Sequence, residues 1–160
     1  MVNNNTISEK EIWDLLATVS DPEIPVLSII DLGIVRAVRI ENNIIKIIIT
    51  PTYTGCPAMD MIAMNIKLTM LQYDINNFEI ITILAPAWTT DWMTDLGKQK
   101  LKEYGIAAPN KTIPIPEDGV ECPLCNSTNT RVISEFGSTA CKALYQCNNC
   151  KEPFDYFKCH

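Results

Sequence analysis

Cys122-Pro123-Leu124-Cys125 and Cys147-Asn148-Asn149-Cys150 are two C-x2-C knuckles with 21 residues between them. Two intervening residues let both sulfurs of a knuckle reach one ion from a tight turn, and the separation is close to that of zinc sites. Four thiolates would complete the closed tetrahedral shell of a structural zinc. Rubredoxin-like iron uses the same four-sulfur geometry and is the alternative occupant. Cys141, Cys159 and His160 are candidates for a second thiol-rich site, provided that 154–157 folds the tail back against the ribbon. Otherwise Cys141 fills a buried strand position and the last two residues form an exposed tail.

The seventh cysteine stands apart. Cys56 lies between an apolar, strand-like run (Ile44 to Ile49) and a helix-like run (Met59 to Leu71), with Gly55 before it and Pro57 after it. Proline is favoured at a first helical position, where its missing N–H would be unpaired anyway. Cys56 is thereby placed at or next to the N-cap, where free amides and the helix dipole favour an anion. Thiolate is the nucleophilic and metal-binding form of cysteine. The competing reading is a small side chain filling space. No second cysteine is near in sequence and the one histidine is His160, so a Cys–His catalytic pair is not supplied.

The surrounding pattern shows what would hold these residues. Ser8 followed by Glu11 is a capping box, and Ile12, Leu15, Leu16 and Val19 continue it at helical spacing until Asp21-Pro22. The stretch 21–33 holds two prolines, a glycine and three acidic residues and reads as an ordered loop. Strands follow at 34–40 and 44–49, joined through Asn42-Asn43 as a hairpin. The second, nearly all isoleucine, is expected to be interior and covered on both faces. The helix after Cys56 is apolar on two faces, Met59, Ile62, Ala63, Ile66 and Met70 on one and Met61, Met64, Leu68 and Leu71 on the other. Both are expected to be packed in the core.

A third strand spans 78–84, and the right-handed crossover rule makes it parallel to the second. A last helix, 92–104, is capped by Thr90 or Asp91 and ends at Gly105. The order α-β-β-α-β-α predicts an α/β, two-layer domain on a small mixed sheet, over residues 1–108. A Pro-rich linker at 109–119 leads to a ribbon at 120–160, too small to fold on its core alone. Its aromatics, Tyr145, Phe154, Tyr156 and Phe157, would form a small core, with Val132, Ile133 and Phe136 in its first strand.

Composition narrows the class. Apolar residues make up 47% and charged residues 20% of the 160, as in soluble globular proteins. No apolar run is long enough to cross a bilayer, and 1–10 lacks the apolar core of a signal peptide, so a cytoplasmic protein without disulfides is expected. Residues 1–119 carry 9 Lys and Arg against 15 Asp and Glu, and residues 120–160 carry 4 of each. Neither part has the basic excess that phosphate contacts demand, which argues against nucleic acid.

Asp21-Pro22-Glu23, Ile30-Asp31-Leu32-Gly33 and Thr54-Gly55-Cys56-Pro57 resemble the signature of the small iron–sulfur (metal–sulfur) cluster assembly factors. Ala87 to Met93, Phe136 to Ala143 and Glu152 to Cys159 resemble, nearly letter for letter, the PaaD family. That family supplies one component of the phenylacetyl-CoA epoxidase system and joins the assembly domain to a zinc ribbon. The resemblance covers almost the whole chain. It implies an accessory role in aerobic phenylacetate breakdown, helping assemble or maintain an iron or iron–sulfur centre. A structural or electron-transfer role in the oxygenase complex is the alternative. Cys56 matches the reactive cysteine of the assembly factors, and Asp21 and Glu23 match the acidic loop expected to face it. Carboxylates beside a soft sulfur suit transient iron better than free-thiolate nucleophilic catalysis. Implied partners are the epoxidase subunits or their reductase, other cluster assembly proteins, and a second copy of the chain.

Overall fold

The computed structural model describes residues 6–53, 55–109, 119–137, 139 and 141–157. Its contacts divide the chain into two compact units, Met1–Trp88 and Thr89–His160. Most of the expected linker, 110–118, lies outside the described residues.

In the first unit, helix α1 (Glu9–Leu16) opens on the expected capping box. Ser8 Oγ accepts from the Glu11 amide at 3.3 Å, and the Glu11 carboxylate accepts from the Ser8 amide at 2.7 Å. The helix stops short of Ser20 because the Thr18 and Val19 amides switch to the carbonyls three residues back, tightening the last turn. Strands β1 (Val35–Glu41) and β2 (Ile44–Ile49) pair antiparallel, and Asn42 and Asn43 turn between them at φ 51° and 62°. Positive φ at both positions is what a two-residue hairpin of matching twist requires.

Helix α2 (Ala58–Gln72) crosses over to strand β3 (Phe78–Thr82), which lies parallel to β2 and completes the order β1-β2-β3. Strand β2 is central, but its burial alternates. Ile45, Ile47 and Ile49 are buried while Lys46 and Ile48 are only half-buried, so one face is well covered and not two.

The second face of α2 also departs from expectation. Ala58, Ile62, Ile66 and Met70 form the buried line. Met61 and Met64 are each 53% exposed, Leu68 51% and Leu71 42%, so this face is not core. A unit with one three-stranded sheet and one other helix has apolar surface enough for only one side of α2.

In the second unit, the expected single helix divides. Thr89 caps a short 3-10 turn at Thr90–Trp92 and Met93 is extended. Thr94 then caps helix α3 (Asp95–Glu103) by accepting from the Gly97 amide at 2.9 Å. Gly105, at φ 87°, ends it as expected. Strands β4 (Ile106–Ala107), β5 (Thr130–Ser134), β6 (Lys142–Cys147) and β7 (Pro153–Phe157) form a sheet of order β4-β7-β6-β5. Its core gathers Ala107, Val120, Cys122, Ala143, Tyr145, Cys147, Phe154 and Tyr156. Tyr145 stacks on Phe154 at 5.9 Å and meets Tyr156 edge-on at 5.7 Å. Val132 and Ile133 lie in β5 as expected, but they and Phe136 are exposed.

The two faces of α2 give opposite mutational outcomes. Ile66→Ala should cost about 2–5 kcal/mol in denaturant unfolding of the full chain. Leu68→Gln should stay within about 0.5 kcal/mol. Equal losses would mean that the exposed face is in fact packed.

Candidate metal centre

The two knuckles have one backbone geometry. Cys122 N donates to Ser127 O at 2.9 Å, and Cys147 N donates to Glu152 O at 3.0 Å, each closing the same five-residue step. Four residues after each leading cysteine the chain reaches positive φ, at Asn126 (62°) and Lys151 (67°). Asparagine tolerates that region and signals the first turn; lysine does not, so the second was hidden in the sequence.

These turns bring the four sulfurs together. Cys122 and Cys150 are 3.8 Å apart, Cys125 and Cys147 3.5 Å, and all four lie within 4.8 Å of one another. Tetrahedral bonds of about 2.3 Å from zinc to sulfur would place the sulfurs about 3.8 Å apart. The donor set therefore fits a four-sulfur metal ion.

Electrostatics lead to the same conclusion. The backbone N–H of Cys150, helped by that of Asn149 and opposed by burial, holds the Cys147 thiol down at about 6. At Cys150 the N–H of Glu152 pulls down most strongly. Burial and the sulfurs of Cys147, Cys125 and Cys122 together outweigh it and push the thiol up to about 12. Sulfurs this close cannot all be anions without a cation between them.

The other expected site residues are placed differently. Cys56 is half-buried just before Pro57, the α2 cap, and Thr52 Oγ1 donates to its sulfur at 3.9 Å. Asp21 is buried, and its Oδ1 accepts from the amides of Glu23 at 2.9 Å and Ile24 at 2.7 Å. Asp31 and Ser28 bond reciprocally, each side chain accepting from the other's amide at 3.0 Å. Trp88 Nε1 donates to Leu32 O at 2.8 Å. The acidic loop thus uses carboxylates to fix its own turns, a role that a reading for metal ligands overlooked. Among the described residues the four ribbon cysteines form the one group of three or more metal-ligand side chains, and Cys56, Asp21 and Glu23 are not gathered into another. Cys141 is buried with its sulfur 3.0 Å from Thr139 Oγ1, while Cys159 and His160 lie outside the described residues. No helix among the described residues is long and apolar enough to cross a membrane.

Fold and site together define a small α/β domain followed by a metal-binding β ribbon. Residues 9–72 match the iron–sulfur cluster assembly protein family and residues 107–158 the PaaD zinc β-ribbon domain. The chain is 51% identical over 154 residues to an Escherichia coli protein named as a subunit of a "Putative 1,2-phenylacetyl-CoA epoxidase", covering 93% of this chain and 92% of that one. It belongs to the PaaD family. It is also 30% identical to a Porphyromonas gingivalis Fe-S protein maturation auxiliary factor, over 59% of this chain and 91% of the relative. Among solved structures, a DUF59 domain from Bacillus anthracis aligns with a TM-score of 0.54 at 29% identity, over 58% of this chain and 90% of that one.

With one thiol of the four already ionised at neutral pH, zinc binding to the metal-free chain at pH 7 should release fewer than four protons. Calorimetry in buffers of different ionisation enthalpy measures this number. Release of all four would contradict the amide-stabilised Cys147 thiolate.

Proposed function

We propose that the chain is an accessory protein of a multicomponent 1,2-phenylacetyl-CoA epoxidase, working in the cytoplasm to assemble or maintain an iron or iron–sulfur centre of that system. The observation that carries this reading is the extent of the likeness to the Escherichia coli epoxidase component, which runs through both modules and nearly the full length of both proteins. The assembly-family match at 9–72 and the likeness to a maturation auxiliary factor supply the maturation half of the reading. The partners are then the epoxidase subunits or their reductase, together with cluster assembly proteins.

Within this role the ribbon's metal is zinc, held permanently by Cys122, Cys125, Cys147 and Cys150. A closed shell of four sulfurs leaves no open position for exchange chemistry, so this ion organises the ribbon. Iron would be handled at Cys56, with Asp21 and Glu23 as the neighbouring acidic loop. Iron or a cluster passing through is cargo. Cys56 sits half-buried at the start of α2 with a hydroxyl donor 3.9 Å from its sulfur, a position open to a soft ligand's metal.

Metal analysis of protein purified without oxygen separates the two sites. The parent should carry one zinc plus iron, and Cys56→Ser one zinc with the iron lost. In epoxidase reconstitution under limiting iron, Cys56→Ala should lower the activity recovered. Equal iron in parent and variant, with full epoxidase activity, would remove Cys56 from the mechanism.

A further inference from the structure

We propose that Asn129, with Ser127, Asn148 and Asn149, forms a clasp that locks the two cysteine knuckles together and sets how long the ribbon holds its metal. None of the four is a ligand. Asn148 and Asn149 are the two residues between the cysteines of the second knuckle, and Ser127 and Asn129 follow the first.

The bonds between them cross from one knuckle to the other. Asn148 Nδ2 donates to Asn129 Oδ1 at 2.9 Å, and Asn129 Nδ2 donates to Asn149 Oδ1 at 3.4 Å. Asn149 Nδ2 donates to Ser127 Oγ at 2.7 Å, and the same hydroxyl accepts from the Asn129 amide at 3.1 Å. The Asn148 amide donates to Asn129 O at 2.9 Å, one step beyond the last paired residues of β5 and β6, Thr130 and Cys147. Both non-ligand positions of the second knuckle are therefore held by side chains from the segment that follows the first.

The consequence follows from geometry. Each cysteine of one knuckle faces a cysteine of the other, Cys122 toward Cys150 and Cys125 toward Cys147. Metal loss requires the knuckles to separate, and the clasp is what resists separation once the sulfurs let go. It also fixes the peptide units whose amides, at Asn149 and Cys150, face the Cys147 sulfur. Groups hydrogen-bonded to a metal's ligands commonly change metal affinity about 10- to 100-fold, and the clasp acts one bond further out, on the peptide units that carry the ligands, so the low end of that range applies. Asn129 is the central member because it bonds both residues of the opposite turn. It is a positioning residue for the metal.

The test uses the full-length protein loaded with zinc and, separately, with cobalt(II). Asn129→Ala should speed zinc transfer to a chromogenic chelator about tenfold, and it should alter the cobalt thiolate absorption. Ser127→Ala, which removes one acceptor, should give a smaller change in the same direction. Asn129→Asp keeps the acceptor for Asn148 and should recover part of the loss. Ser134→Ala is the control. It breaks bonds of 2.7 and 3.2 Å to Phe136 at the far end of β5, away from the knuckles, and should leave release unchanged. Unchanged release in both Asn129→Ala and Ser127→Ala overturns the proposal, as does equal acceleration by Ser134→Ala. Were Asn129→Ala not to fold, Ser127→Ala against Ser134→Ala decides by the same criterion. A parent that takes up no zinc would instead overturn the metal assignment on which the clasp rests.

Discussion

The second unit is built around a charge problem. Four thiols converge within 4.8 Å, two of them at buried cysteines, and their ionised forms repel one another unless a cation lies between them. The sheet that carries them has a small core, chiefly Tyr145, Phe154 and Tyr156 with a few small residues, and it includes Cys122 and Cys147 themselves. Hydrophobic burial on that scale seldom holds a ribbon of about forty residues, so the ion's bonds become part of the folding free energy. The backbone prepares for this. Two residues accept positive φ, and amides of the second knuckle turn toward sulfur instead of toward carbonyl oxygen.

The first unit orders an irregular loop through its own side chains. Residues 20–34 contain little regular structure, yet Ile24, Leu27, Ile29, Leu32 and Ile34 are all buried. Burying such a segment strands backbone N–H groups, each costly if left unpaired. Asp21 and Asp31 supply acceptors for three of them, and the Trp88 indole donates to the Leu32 carbonyl. Acidic residues that stand out in the sequence therefore have a structural use before any chemical one. Asp21 holds both amides through one oxygen, Oδ1, so its carboxylate is anchored by the turn it caps.

How much was legible in the sequence depended on how local the determinants were. The capping box at Ser8, the Asn42-Asn43 hairpin and the two C-x2-C knuckles are decided by residues within a few positions of one another, and the structure reproduces them. The exposed face of α2 was misread because Met61, Met64, Leu68 and Leu71 are apolar, while what covers a helix is a property of its neighbours. The start of α3 slipped by a few residues because Thr89, Thr94 and Thr90 or Asp91 all offer capping oxygens, and sequence alone does not rank them. Lys151 gave no sign of its positive φ, since the conformation is imposed by the knuckle and not chosen by the residue.

The asparagines show the same principle working the other way. Asn148 and Asn149 look like filler between two ligands, and polar residues in a knuckle need no explanation when read one turn at a time. Their meaning lies in the register of β5 against β6, which sets Thr130 opposite Cys147 and so carries Asn129 to Asn148. That register belongs to strands whose core reaches the metal centre, since Cys122 and Cys147 are part of it. The core and the metal centre are thus two ends of one constraint. Packing of Tyr145 against Phe154 and Tyr156 aligns β6 with β7, and the pairing of β5 on β6 brings Asn129 within reach of the second knuckle. Metal binding then ties β5 to a pair of strands that the core has already aligned, which is how so small a sheet reaches a single arrangement.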